Sequence, residues 1–217
     1  MRQQALEELF IFLYIYPMDF INQGFQLIIK TVIDYSVTIL CLILLIPVIL
    51  IVTIAIKLTV KGPVIYSQKR IGKDGKTFTI YKFRSMHLGT EDGVPLLCGK
   101  KDKRITAVGR LMRKHKLDEI PNFINVLKGE MSIVGPRPEQ QYFIDQIVAK
   151  KPEYKLLHSI KPGITSWGQV KYGYASNVDE MIKRLDYDLY YLNNRSLWFD
   201  LKIAFYTLGI IIKGEGV

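Results

Sequence analysis

Hydrophobic positions change rhythm along this chain. From residue 36 to residue 56 (SVTILCLILLIPVILIVTIAI) there is no charge at all. At a helical rise of about 1.5 Å per residue such a run is roughly 30 Å long, the thickness of a bilayer's hydrocarbon core. Pro47 falls near its middle. A proline removes one backbone donor and crowds the preceding turn, so a break is expected there. A kinked helix that crosses and one that enters, bends and leaves on the same face both fit the composition. The run starts too late and is too long for a secretory signal. Residues 1–29 are apolar and aromatic but broken by Pro17; they read as an interfacial extension or as a linker.

After Gly62-Pro63 the period shortens. VIYSQKRIG and KTFTIYKFRSM predict two strands, with Phe78, Ile80 and Lys82 alternating against Thr79, Tyr81 and Phe83. Gly72-Lys-Asp-Gly75 between them is a hairpin signal. Residues 87–104 are rich in Gly, Pro and charge and predict a surface loop. ITAVGRLMRKHKLDEIPNFINVLKG predicts two helical segments. Leu111, Met112 and Leu117 form the apolar face of the first. Ile120, Phe123, Ile124 and Leu127 form that of the second, with Pro121 in its first turn and Gly129 as its stop. Residues 139–161 predict helix, 161–175 a Gly-rich loop around Trp167, and the remainder two helices. The last, from Leu197 to Lys213, is apolar enough to pack in the core or to lie on a bilayer.

Charge narrows the picture. Formal net charge is +10, from 30 Lys and Arg against 20 Asp and Glu. The cations cluster at Lys57 to Lys76 and at Lys100 to Lys116, which suits anionic lipid headgroups, nucleotide phosphates or nucleic acid, so a membrane-anchored basic binding or scaffold protein stands as the alternative to an enzyme. The Lys-rich side of the apolar run is expected on the cytoplasmic face. No nucleic-acid-reading block occurs. The two cysteines, Cys41 and Cys98, form no disulfide framework or metal knuckle, and His87, His115 and His158 lack metal-ligand spacing.

The candidate chemistry lies in LDEIPNFINVLKGEMSIVGPRP, residues 117–138. It opens on adjacent carboxylates, Asp118 and Glu119, and closes on Arg137 between two prolines. Carboxylates at the start of a helix also serve simply as favourable first-turn charges. A carboxylate pair with a fixed guanidinium, however, is what phosphoryl transfer uses around a divalent metal. The two prolines restrict the backbone and aim the guanidinium, a bidentate phosphate donor. Lys82 and Arg84 alternate onto one strand face from which a diphosphate is within reach. Arg113 precedes Asp118 by five residues.

Taken in order, KRIGKDGKTFTIYKFRSM, DKRIT with VGRLMRK, LDEIPNFINVLKGEMSIVGPRPE, KPGITSWGQV and DYDLYYLNNRSLWFDLKI resemble the blocks of the bacterial sugar transferases, the monotopic phosphoglycosyl transferases. The resemblance covers about residues 25–213. It implies an enzyme of the bacterial inner membrane, with its catalytic domain facing the cytoplasm. Such an enzyme moves a sugar-1-phosphate from a UDP-sugar to a polyprenyl phosphate and releases UMP, initiating assembly of a surface polysaccharide or glycoconjugate.

The implied fold is a small, α-rich α/β domain (residues 58–213, with 214–217 as a tail). It carries a re-entrant membrane helix (30–57) broken at Pro47 and interfacial amphipathic helices. Asp118 matches the nucleophilic aspartate and Glu119 the neighbouring carboxylate that holds Mg²⁺. Arg137, Lys82, Arg84 and Arg113 match positions expected to meet phosphate. Membrane lipid is a further expected partner, nucleic acid is not, and self-association is left open. Two departures stand out: Ile46 precedes the proline where many relatives have Ser, and Lys171-Tyr172-Gly173-Tyr174 replaces a common Asn-Gly-Arg.

Overall fold

The computed structural model describes residues 24–89, 95, 97 and 102–216. Residues 1–23 of the expected 1–29 interfacial extension, Cys98 and most of the expected 87–104 loop lie outside them, and residues 24–29 belong to a longer helix. The chain is helix-rich, with two small two-stranded sheets among the described residues.

Helix α1, Gly24–Leu44, abuts helix α2, Ile46–Thr59, at Leu45, whose backbone (φ −88°, ψ 0°) leaves helical geometry. The interruption is two residues before Pro47. That offset follows from proline's geometry, because its ring crowds the carbonyl four residues back and restricts the residue before it. Both helices are tied to the same body. Lys30 Nζ lies 2.6 Å from Asp200 Oδ2. Asp34 Oδ2 accepts from the Ser132 hydroxyl at 2.7 Å. At the other end, Val52, Ile56 and Val60 are buried with Phe83, Met112 and Ile120. Between these anchors Ile39, Leu40, Ile43, Leu44, Ile46, Leu50 and Ile51 are exposed.

Strands β1 (Ile65–Ile71) and β2 (Thr77–Phe83) pair antiparallel, from Ile65 opposite Phe83 to Ile71 opposite Thr77. Asp74 and Gly75 take positive φ in the turn. Both faces of β2 are packed: Phe78 and Ile80 meet Val126 and Met131, while Phe83 joins the α2 cluster. Helix α3 (Ala107–Lys114) begins at Thr106, whose hydroxyl accepts from Gly109 N at 2.9 Å.

The expected second helix starts differently. Residues Leu117–Asn122 form a 3-10 segment, and only Phe123–Leu127 (α4) is α-helical. Pro121, lacking an N–H and crowding the turn before it, favours the tighter winding. Three residues per turn displace the apolar stripe. Ile124 and Leu127, expected to face the core, are exposed, and Asn125 and Val126 are buried instead. Leu111 is likewise exposed while Met112 of the same turn is buried.

Strand β3 (Ser132–Val134) pairs parallel with β4 (Gly163–Thr165), a pairing the periodicity does not predict. The two backbones cross so closely that a Cβ built on Gly163 would sit 2.1 Å from Gly135 N. The expected 139–161 helix is α5 (Gln141–Lys150) followed by a 3-10 segment, Pro152–Ser159. The Gly-rich loop contains β4 and a short helix α6, Trp167–Lys171. Helices α7 (Val178–Asn194) and α8 (Leu197–Lys213) close the chain. Phe143, Ile147, Tyr154, Leu157, Met181 and Leu185 form the main core. Helix α8 packs into the core on one side, where Ile203 is buried with Trp167 and Tyr191, and leaves Trp198, Phe205, Leu208 and Ile212 exposed on the other.

Candidate active site

The 3-10 segment is entered through Lys116, which sits in the left-handed region (φ 53°, ψ 22°). This turn and Pro121 present Asp118 and Glu119 to the β-hairpin, and both carboxylates are buried. From β2, Lys82 Nζ donates to Glu119 Oε1 at 2.7 Å. From the turn after β3, Arg137 donates to the same oxygen at 3.2 Å. The Gly135–Gly163 crossing sets the path of that turn.

A cleft of about 180 Å³ opens over this arrangement. Lys82, Arg84, Arg113, Asp118, Glu119 and Arg137 all line it. The fold thus brings these six candidate residues together from three stretches of chain, 82–84, 113–119 and 137. Their engagements differ. Arg113 Nε donates to Ser85 Oγ at 2.9 Å. Arg84 Nε donates to the Pro63 carbonyl at 2.7 Å, and its guanidinium lies 5.9 Å from the Tyr66 ring. Pro47 is remote in role: it lies on α2, at the membrane-type segment.

Environment divides the two carboxylates. Burial acts to raise both, but Lys82, Arg137 and Lys116 outweigh it at Glu119 and hold that group well below the usual carboxylate range. At Asp118 burial, reinforced by the Glu119 charge, wins over Lys82, Arg113 and Lys116 and raises the pKa. Neighbouring carboxylates pushed apart in this way suit different roles. Asp118 is the more basic oxygen donor of the two. Glu119 is a fixed anion.

Glu119 also fits a hard divalent cation. Its Oε1 takes Lys82 and Arg137, but Oε2 is buried and has no hydrogen-bond partner among the described residues. Mg²⁺ needs only one or two protein carboxylates when phosphate oxygens and water complete the shell. No group of three or more His, Cys, Asp or Glu with metal-holding geometry occurs among the described residues.

Sequence reasoning passed over several residues of the cleft. Glu139, directly after the Pro-Arg-Pro turn, lies 3.0 Å from Arg70 and 2.6 Å from Arg184. Burial would raise its pKa, but Arg184, Arg70 and Arg137 lower it. A signal for Arg184 exists: Met181, Arg184, Leu185 and Asp188 share one helical face, and all are buried. Charges inside an apolar stripe mark a polar network. Tyr174, marked above only within the Lys171–Tyr174 departure, also lines the cleft, and Lys116, marked only within a basic cluster, lies beside it. The Tyr174 ring lies 5.5 Å from both Lys116 Nζ and the Arg137 guanidinium carbon.

Comparison with known proteins places the chain in a family. Residues 25–214 match the family model described as bacterial sugar transferase. A UDP-N-acetylgalactosamine-undecaprenyl-phosphate N-acetylgalactosaminephosphotransferase of Aeromonas hydrophila is 42% identical over 87% of this chain and 44% of its own length. A UDP-glucose:undecaprenyl-phosphate glucose-1-phosphate transferase of Escherichia coli is 41% identical over 90% of this chain and 42% of its own length. The chain thus spans less than half the length of these two relatives. It matches 91% of the length of an uncharacterized sugar transferase, EpsL, of Bacillus subtilis, at 35% identity. On the family match over nearly its whole length, this chain belongs to the bacterial sugar transferase family.

Proposed function

We propose that the chain transfers a sugar-1-phosphate from a UDP-sugar to undecaprenyl phosphate and releases UMP. The observation that carries this reading is the buried Asp118–Glu119 pair beneath Lys82 and Arg137 in one cleft. The names of relatives supply the substrate classes.

The residues suggest two displacements. A carboxylate oxygen of Asp118 attacks the phosphorus that bears the sugar, forming an acyl-phosphate ester. The bond from that phosphorus to the bridging oxygen breaks, and UMP leaves with the electron pair. A phosphate oxygen of the polyprenyl acceptor then attacks the same phosphorus, freeing the Asp118 carboxylate and giving a polyprenyl diphosphosugar. Attack by an anion on a diphosphate needs neutralising charge. Lys82, Arg113, Lys116 and Arg137 supply it, and Arg137 has the planar fork that phosphate oxygens match. Burial keeps Asp118 basic. Glu119, with its unpartnered Oε2, would hold Mg²⁺, and that ion, when bound, neutralises phosphate oxygens and the leaving UMP.

The anchoring of both α1 and α2 on the same body supports a re-entrant hairpin. Lys30 and Asp34 tie one leg and Val52, Ile56 and Val60 the other, and the exposed apolar residues lie between. Such a tip, embedded in one leaflet of the bacterial inner membrane, would keep the cleft on the cytoplasmic side, at the depth of a lipid phosphate. Labelling a Gln26→Cys variant in cells tests this reading. Protection from an outside reagent supports it, and exclusive labelling from outside overturns it.

The reaction is tested by incubating the purified chain with a panel of UDP-sugars, undecaprenyl phosphate and Mg²⁺ while measuring UMP. UMP release that requires the lipid acceptor for multiple turnovers is expected with at least one donor. No release with any donor would overturn the reading.

A further inference from the structure

Tyr174 lies on the connection between α6 and α7 and lines the cleft, and no step described above uses it. Its ring centroid is 5.5 Å from Lys116 Nζ and 5.5 Å from the Arg137 guanidinium carbon, within the range at which an aromatic face attracts a cation. Arg137 simultaneously donates to Glu119. Lys116 is buried and sits in a left-handed backbone conformation unusual for a residue with a side chain. Two cations are thus gathered beside one carboxylate pair, although they repel each other.

A further carboxylate would gather them too, but it would consume their N–H donors and add negative charge where a diphosphate must bind. An aromatic face attracts both through its quadrupole and accepts no conventional hydrogen bond. Resting on the transfer reaction proposed above, we propose that Tyr174 is a positioning residue. Its ring, not its hydroxyl, holds Lys116 and Arg137 against the carboxylate pair and leaves their donors available to the phosphates of the UDP-sugar.

The test uses the full chain and the UDP-sugar that gives the fastest UMP release. Tyr174→Phe keeps kcat within about twofold. Tyr174→Leu and Tyr174→Met lose roughly tenfold, the scale of two cation–π contacts, with melting temperatures near that of the wild type. In an Arg137→Ala background, Tyr174→Leu costs much less than it does alone, because one of its two clients is gone. The inference is overturned if either apolar variant turns over like the wild type. It is also overturned if Tyr174→Phe is as impaired as Tyr174→Leu, or if the losses in the double variant simply multiply. Should the apolar variants melt early, the Phe variant and the double-variant comparison still decide. A wild type inert toward every donor overturns the reaction itself, which is a different result.

Discussion

Lys82 and Glu119 meet at 2.7 Å across the junction between the hairpin and the 3-10 segment. The contact ties the strand that carries Lys82 to the turn that carries both carboxylates. Arg137 donates to the same oxygen at 3.2 Å. The site is therefore a junction of segments distant in sequence, and its charges also hold those segments together.

Replacing Lys82 by Met leaves Glu119 buried with one cation fewer. Removing one partner of a buried pair costs about 3–5 kcal/mol. Lys82→Met is expected to lower the melting temperature clearly and to reduce UMP release by roughly 10²-fold, the scale of a single preorganised charge contact. Thermal melts and steady-state turnover of the same preparation measure the two effects.

The Gly135–Gly163 crossing aims the turn that bears Arg137. A methyl group on Gly163 would meet Gly135 N at 2.1 Å and the Thr165 carbonyl at 2.5 Å, so backbone must move. Gly163→Ala is expected to destabilise by at least the ~1–3 kcal/mol typical of overpacking and to lower turnover at temperatures where the protein is still folded. Denaturant melts and turnover well below the transition check this.

Asp188 supplies a pH-dependent term outside the carboxylate pair. Its carboxyl accepts from Gly168 N at 2.8 Å. Burial raises its pKa to about 6, against the pull of Arg184, Gly168 and Ser166. A carboxyl raised on folding contributes stability that is fully present below its unfolded pKa and is lost as pH rises through the folded value. The melting temperature of the wild type relative to Asp188→Asn is therefore expected to increase as pH falls from 7.5 to 5. Taking the difference removes His158, which burial pushes down and which acts in the opposite direction. A difference that is flat in pH would remove Asp188 from the account.

If Glu119 holds Mg²⁺ beside the phosphates, chelation with EDTA should abolish UMP release, and added Mg²⁺ should restore it. Glu119→Gln should remain severely impaired even in excess Mg²⁺. Turnover in EDTA, followed by a Mg²⁺ titration of both proteins, reads this directly.

Much of this site was legible because its residues sit in rigid local contexts. The Pro-Arg-Pro turn marks Arg137, and strand alternation aligns Lys82 with Phe78 and Ile80. The carboxylate pair stands out against the apolar run that follows it. What was not legible depended on tertiary partners. The short β3–β4 pairing has too few residues to show a period, and it exists because two glycines let the backbones cross. The 3-10 winding at Leu117–Asn122 moved Ile124 and Leu127 outward, since a helical wheel assumes a turn that Pro121 disfavours. Tyr174 was marked only by the Lys171–Tyr174 departure and Lys116 only by its basic cluster, and neither pattern says what the side chain meets. Only the fold brings them beside Arg137.

The central claim is that Asp118 takes up the phosphosugar. The direct measurement is mass spectrometry of the full chain quenched in acid after mixing with an accepted UDP-sugar in the absence of lipid acceptor. The account predicts a mass increase of one sugar-phosphate, mapped by peptide analysis to Asp118, lost on adding undecaprenyl phosphate and absent in Asp118→Asn. A competent preparation in which Asp118 stays unmodified, or an Asp118→Asn variant with wild-type turnover, would contradict it.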